Sequence, residues 1–444
     1  MGITRWFQSG SEVVGQPDRG HVQILPLPTG ASTGDGAMIN AFIAAQSSGT
    51  RITTLPGYTY LIDQPVVLRP DLRYDFSHYY PSSIVSPPPS SAAGTVFRMA
   101  AGANLNYMFA SQAYVLGASG AMDPPIWVTG LCCDGNKTNQ TGGTGHGLVL
   151  TNLRSTVRSC GIVNSRGHGI YILGRGADGS QLTGSGVENI IDSCWIDGSG
   201  GNGIYVHGAG NLVTDGICIN NRVSNTGLVG IQVDAPAGWV IAHNHAWATT
   251  LSAITTTGSY ATQIHNNYIE GYGGLPGMAA AGNAYSAGTT YSMWQVVTSS
   301  SVLYYSLTDN NTGNTPASSP TQWQVIGTGL NMYGIACFTM GYPRPTHVHD
   351  NVISLAHVSQ GLTSILNYRG ILLQSPTSNT AYGICHDNVM QNELQPAGTN
   401  TTALRYGIQS AGVLDVTSHH NRILGNWNAT TSIDGTVVTN GTTY

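Results

Sequence analysis

Charge is what this sequence has least of. Of 444 residues, 16 are Lys or Arg and 21 are Asp or Glu, so charged side chains make up 8% of the chain, where about a quarter is usual. With a net charge of -5 and no basic run, it lacks the electrostatic footprint of a nucleic-acid groove, and no nucleic acid is expected as partner. No apolar run approaches the roughly 18 residues of a membrane helix, so no membrane insertion is expected, and the opening MGITRWFQSGSEVVG has no recognisable signal peptide. The cysteines number 7, an odd count, and lie in or beside apolar runs, which favours buried thiols over a disulfide framework. Phosphate-loop, His-Glu-x-x-His and Cys-x-x-Cys patterns are missing. No serine-elbow pattern is followed by a plausible helix. Neither a cofactor nor a metal is therefore expected.

Glycine takes the place of charge, with 58 residues, and Ser, Thr and Asn supply the remaining polar surface. That balance suits a turn-rich all-β protein. A Gly-Ile or Gly-Leu pair recurs at Gly147-Leu148, Gly169-Ile170, Gly203-Ile204, Gly230-Ile231, Gly334-Ile335, Gly370-Ile371 and Gly407-Ile408, with Ala253-Ile254 as a variant. Asn221, Asn244 and Asn267 keep the same register at intervals of 23 residues. A unit of that length holds three short β segments, and one such triangle cannot bury its inner face alone. Stacked units make a solenoid in which like residues lie above one another. His265, Asn267 and Ile269 recur as His349, Asn351 and Ile353, as His386, Asn388 and Met390, and as His419, Asn421 and Ile423. Ladders of asparagine and histidine are expected. Period-two alternation would give His265 and Ile269 the face of Asn267. The histidines are read as structural, because a metal needs ligands converging on one point and a uniform stack does not converge.

Four segments follow: an extension over 1–27, N-terminal and central coils over 28–284, an insertion over 285–330, and C-terminal coils and tail over 331–444. A Gly-rich turn precedes a short helix over Ala37 to Ala45, which would cap the open β edge. The stretch 81–96, with SPPPSSAAG, cannot donate a full ladder and reads as a loop. Alternating Tyr and Trp residues around an Asn/Gly/Pro loop make the insertion a small β unit standing off the shaft.

The Gly-Asp-Gly turn at 34–36, the Ala-rich helix after it and the strand LPGYTYLI resemble the start of pectate-lyase-like right-handed β-helices, among them phage and prophage tailspike depolymerases. Asn311-Thr312-Gly313-Asn314-Thr315-Pro316 with Trp323 resembles a module of phage tail proteins. CCDGNK, GHGLVL and GNGIYVHGAG look similar to β-helix fructotransferases acting on inulin or levan. These resemblances imply a right-handed parallel β-helix with a short N-terminal capping helix, a polysaccharide partner, a homotrimer, and a virion-tail or extracellular location.

Glycan hydrolysis needs two carboxyl groups, about 5–5.5 Å apart for retention and about 6.5–9.5 Å for inversion. Neighbouring coils of a solenoid lie about 4.8 Å apart, so register becomes a search tool. It stacks Glu188 on Asp215, sets His207 beside Asp234, and aligns Asp197, Trp247 and Glu270. These five acids, Glu188, Asp215, Asp197, Asp234 and Glu270, are the candidate catalytic residues. Tyr205, His207, Trp195, Trp247 and Arg222 are the candidate sugar contacts. The expected activity is hydrolysis of a neutral or weakly charged bacterial surface polysaccharide. Alternatives are a fructotransferase, a lyase with Tyr205 or His207 as base and Arg166, Arg175 or Arg222 as cation, and a glycan-binding spike without turnover.

Overall fold

The computed structural model describes residues 21–31, 34–76, 94–122, 124–208, 213–273, 283–328, 331–341, 344–355, 367–375, 381–392, 405–411, 414–425, 431–433 and 436–438. Most of the expected extension, most of the 81–96 loop and the last two residues of GNGIYVHGAG lie outside them.

The chain is a right-handed parallel β-helix. Among the described residues, three sheets of 12, 11 and 12 strands, here A, B and C, run along the shaft. One coil shows the pattern: Asn189–Asp192 in sheet A, Trp195–Asp197 in sheet B and Ile204–His207 in sheet C, after which Gly216–Ile219 returns to sheet A, parallel to the first. The Gly-Ile pairs mark the strands of sheet C, at their start in the coils of Ile170, Ile204 and Ile231 and inside longer strands in those of Ile335, Ile371 and Ile408. Leu148, Ile170, Ile204, Ile231, Ile254, Ile335 and Ile371 are register partners and fully buried, each contributing on the order of 2 kcal/mol. The glycine before them is required by close approach. A Cβ on Gly203 would sit 2.3 Å from Val223 Cγ1 in the core and 2.8 Å from the Gly230 carbonyl of the next coil.

Asparagine forms the second column. Asn244 Oδ1 accepts both the backbone N–H and the Nδ2–H of Asn221 at 3.0 Å. Asn267, Asn351, Asn388 and Asn421 repeat the bond pair in turn. All six side chains are buried, so the ladder satisfies backbone donors at the bend between sheets A and B that water cannot reach.

Histidine departs from the expected alternation. Asn266 between His265 and Asn267 has φ 53, as do its counterparts Asp350, Asp387 and His420 at 55, 55 and 54. This left-handed residue turns the chain, so Asn267 and Ile269 point inward while His265 stays on the outer face of sheet A. There His265, His349, His386 and His419 stack with centroids 4.8 to 4.9 Å apart.

The capping helix covers Asp35–Ala44 and packs against strands Thr59–Ile62 and Val66–Leu68. Buried Asp35 explains the Gly-Asp-Gly turn: its carboxylate accepts the N–H groups of Thr29 and Leu61, and a Cβ on Gly36 would lie 2.6 Å from the Gln64 carbonyl. The cysteines are free and buried. Between Tyr272 of sheet B and Asn331 of sheet C, a four-stranded sheet is formed by Asn283–Ala284, Val296–Ser299, Val302–Ser306 and Trp323–Thr328. It has its own core of Tyr291, Val297, Tyr304 and Trp323, while Val296 and Leu303 pack into the shaft. Among the described residues no helix is long and apolar enough to cross a membrane.

Candidate functional site

Outward positions of sheet C form the floor of a cleft of about 930 Å³, and the inserted sheet forms its roof. Register fixes the floor. Tyr171, Tyr205, Gln232 and Thr255 occupy one column, and His207, Asp234 and Thr257 another. Tyr171 and Tyr205 stack at 5.2 Å with ring planes 5° apart. His146 and His168 stack at 4.8 Å beside them, and Trp294 of the roof lies 5.0 Å from His168 and 5.4 Å from Tyr305. Aromatic faces on floor and roof make a slot suited to flat, amphipathic ligands such as sugar rings. Buried Arg166 pairs with Asp309 of the inserted sheet, tying roof to floor.

One polar chain leads from the floor residues Asn202, Gln232 and Tyr205 to Asp234 and His207 beside them. Asn202 Nδ2 donates to Gln232 Oε1 at 2.9 Å, and Gln232 Nε2 donates to Asp234 Oδ1 at 3.1 Å. Tyr205 O–H donates to Asp234 Oδ2 at 2.7 Å, and His207 Nδ1 lies 2.9 Å from the Tyr205 oxygen and 3.3 Å from Asp234 Oδ2. Since the phenol hydrogen goes to Asp234, Nδ1 carries the hydrogen that bonds the Tyr205 oxygen. Nε2 of His207 then holds a lone pair, with no hydrogen bond to it among the described residues. Burial, followed by the Asp234 charge and hydrogen bond, pushes the Tyr205 phenol far up, so it remains an O–H. Burial pushes the Asp234 carboxyl up, but bonds from His207, Tyr205 and Gln232 outweigh it and leave the group below its ordinary value.

His146 and His168 are buried neutral rings. His146 Nδ1 accepts the N–H of His168 at 3.0 Å and His168 Nδ1 accepts that of Asn202 at 2.9 Å. Burial pushes His146 down to about 4 and His168 well below the usual imidazole range. At the far end of the cleft, Arg369 Nη1 donates to Tyr333 O–H at 3.0 Å. Its strand lies four coils from that of Tyr205, or roughly 19 Å at ~4.8 Å per coil.

The ten candidate residues do not form one site. Only Tyr205, His207 and Asp234 meet, on the outer face of sheet C, where Tyr205 lines the cleft and the other two bond to it. Trp195, Asp197, Arg222, Trp247 and Glu270 are on sheet B, a different face. There the Arg222 guanidinium lies over Trp195, and Glu270 Oε2 is 3.4 Å from His245 Nε2 beside Trp247. Asp197 is buried and accepts from Ser224 Oγ and Asn225 Nδ2, which makes it a turn-holding group. Asp197 and Glu270 are three coils apart, roughly 14 Å at ~4.8 Å per coil, too far for either hydrolytic geometry. Glu188 and Asp215 do stack, Glu188 N–H donating to the Asp215 carbonyl at 2.6 Å. Both, however, occupy left-handed turns before sheet A, and Glu188 is held by Arg154 at 2.6 Å.

Sequence reasoning missed Tyr171, Gln232, His168, Trp294 and Tyr305. The Gly-Ile register could have found the first two, since each follows the column isoleucine as Tyr205 does. Nothing in the repeat pointed to the roof. Apart from the cleft, His386, Asp387 and His419 are grouped on sheet A with ligand atoms within 4.8 Å of one another, a convergence that a uniform stack did not suggest.

Comparison with known proteins agrees on architecture. The family described as "Right handed beta helix region" matches residues 141–314, less than half of the chain. Among solved structures, the mannuronan C-5 epimerase A-module of Azotobacter vinelandii is similar at 13% identity and TM-score 0.49, covering 92% of this chain and 96% of that one. The N-terminal fragment of the bacteriophage Phi29 gene product 12 gives 13% and 0.45, covering 93% and 71%. DFA-IIIase from Arthrobacter chlorophenolicus gives 14% and 0.45, covering 95% and 96%. No curated protein matches. The chain's own sheets make it a right-handed parallel β-helix.

Proposed function

We propose that this protein acts on a polysaccharide lying along sheet C, by proton abstraction and elimination at a uronic-acid unit in preference to hydrolysis by paired carboxylates. The observation that carries this reading is the Tyr205–His207–Asp234 cluster, which reaches the cleft through Tyr205 and offers an imidazole lone pair, a phenol O–H and a single carboxylate. His207 Nε2 takes the proton alpha to the sugar carboxylate. Those electrons form the double bond as the neighbouring C–O bond breaks, and Tyr205 gives its proton to the departing oxygen. The Nδ1 proton of His207 passes to Tyr205, so the Tyr205–His207 pair ends neutral beside the unchanged Asp234 carboxylate and only the imidazole tautomer has changed. Asp234 holds the pair in orientation. Arg175, whose charge acts on Tyr171 one coil away, would offset the substrate carboxylate, and Arg369 would meet an acidic substituent further along. The epimerase likeness bears on fold alone and adds nothing to this assignment.

Assembly as a homotrimer at a virion tail or outside the cell belongs to the same proposal. Tyr268 and Val352, register partners on the outer face of sheet B and 41% exposed each, support an assembly surface there. A monomer mass by light scattering would remove the trimer. The activity test is mass spectrometry of products from a panel of uronic-acid polymers, capsules, O-antigens, inulin and levan. Unsaturated chain ends are expected, lost in Tyr205→Phe and His207→Gln while polymer binding persists. Products one water heavier would restore hydrolysis, cyclic disaccharides would favour fructosyl transfer, and binding without products would leave a recognition spike.

A further inference from the structure

The outer corner between sheets A and B carries two columns that run the length of the shaft. The first passes through Arg158, Asp192, Ile219, Ala242, His265, His349, His386 and His419. The second is the left-handed residue that follows each of them: Ser159, Ser193, Asn220, His243, Asn266, Asp350, Asp387 and His420. Two adjacent coils therefore present a square of four side chains. Along most of the shaft that square holds too few donors to bind a metal.

At the last two coils the square is His386, Asp387, His419 and His420, with three imidazoles and one carboxylate. His386 Nδ1 is 2.7 Å from Asp387 Oδ2, His419 Nδ1 is 3.2 Å from His420 Nδ1, and His420 Nδ1 is 3.7 Å from Asp387 Oδ1. Four ligands around a tetrahedral ion at about 2.05 Å lie about 3.3 Å from one another; these three separations bracket that value, the ligand atoms of His386, Asp387 and His419 lie within 4.8 Å of one another, and His420 adjoins that group through His419 and Asp387. His419 stays parallel to His386 in the ladder, while His420 stands at 85° to His419 with centroids 4.9 Å apart. Each ring is partly exposed, and Asp387 is 44% exposed, which leaves an entry path. The coil above, with His349, Asp350, His386 and Asp387, would hold two carboxylates in place of one. It is the exchange of the second acid for His420 that gives a nitrogen-rich set.

We infer that His386, Asp387, His419 and His420 form a binding site for one divalent transition metal of zinc-like preference, which joins the last two coils. Imidazole and carboxylate donors suit zinc, and the competing first-row ions bind by the same groups. This site expects a resident ion where the sequence suggested none.

The test uses the full chain, stripped with chelator and dialysed against zinc, with bound metal counted by mass spectrometry and affinity taken from calorimetry. Cobalt substitution reports geometry, since a tetrahedral site gives intense visible absorption. One equivalent per chain is expected, together with a rise in the thermal midpoint. His420→Asn and Asp387→Asn should each weaken binding by about tenfold or more, since loss of even an outer partner of a metal ligand has that effect. Asn already occupies the His420 position at Asn220 and Asn266, so His420→Asn keeps the turn, and an unchanged metal-free thermal midpoint verifies this. His349→Gln, higher on the same ladder, should leave binding intact. Substoichiometric binding, or binding that survives both His420→Asn and Asp387→Asn, overturns the site.

Discussion

Replacing Asn267 with alanine tests the asparagine ladder as the element that joins the coils. The side chain is 1% exposed. Its Oδ1 accepts the backbone N–H and Nδ2–H of Asn244 at 3.0 Å each, and its Nδ2 donates to the Ile241 carbonyl and to Asn351 Oδ1 at 2.9 Å each. Truncation leaves the Asn244 backbone N–H and one of its two Nδ2 hydrogens buried without an acceptor, the other keeping the Cys218 carbonyl at 2.9 Å. At about 1–3 kcal/mol for each orphaned group, the expected loss is about 2–6 kcal/mol, the lower end applying if one water fills the vacated space. The comparison is Asn266→Gly. That residue is exposed and left-handed at φ 53, so glycine should change stability by no more than about 0.5 kcal/mol. Urea unfolding followed by circular dichroism gives the difference, and hydrogen exchange localises it, because Asn244 N–H should lose protection while amides several coils away keep theirs. A loss below about 1 kcal/mol, with Asn244 protection unchanged, would refute the ladder argument.

Acid should act through His146 and His168, which stay neutral in the fold while unfolded histidines bind protons near pH 6.5. The unfolded state therefore takes up more protons on acidification. The stability is fully present above about 6.5 and falls by about 2.7 kcal/mol per pH unit for the two groups below about pH 6, until His146 titrates at about 4. Denaturation midpoints across that window should fall more steeply in the native chain than in the His146→Gln/His168→Gln variant, and equal slopes would contradict the assignment. Arg166→Gln leaves Asp309 without its buried partner, which should cost about 3–5 kcal/mol and raise hydrogen exchange across 293–309; unchanged exchange there would mean that the roof is held by its apolar contacts alone. Tyr205→Phe should lower turnover at least about 100-fold with little change in polymer affinity, and a variant of native activity would remove the phenol from the chemistry.

The repeat determined a great deal by itself. Because each coil must put an isoleucine over an isoleucine and a glycine under the next carbonyl, Gly203-Ile204 and Gly230-Ile231 declare both the strand and its neighbour. Asn221, Asn244 and Asn267 likewise declare the bend, and the same register correctly set His207 beside Asp234 and Glu188 over Asp215. What register cannot supply is the face. A single left-handed residue such as Asn266 turns the chain from sheet A to sheet B and parts His265 from Asn267, and the turns from sheet B to sheet C likewise remove Trp247 and Glu270 from Tyr205. Nor does periodicity reach the roof, whose Trp294 and Tyr305 belong to an insertion outside the repeat and are brought over His168 only by the Arg166–Asp309 pair and apolar packing. The sequence determined the stack, because stacking is a local matter of like residues at fixed intervals. Only the tertiary structure decided which faces meet, because turn dihedrals and long-range packing combine there over more than a hundred residues of chain.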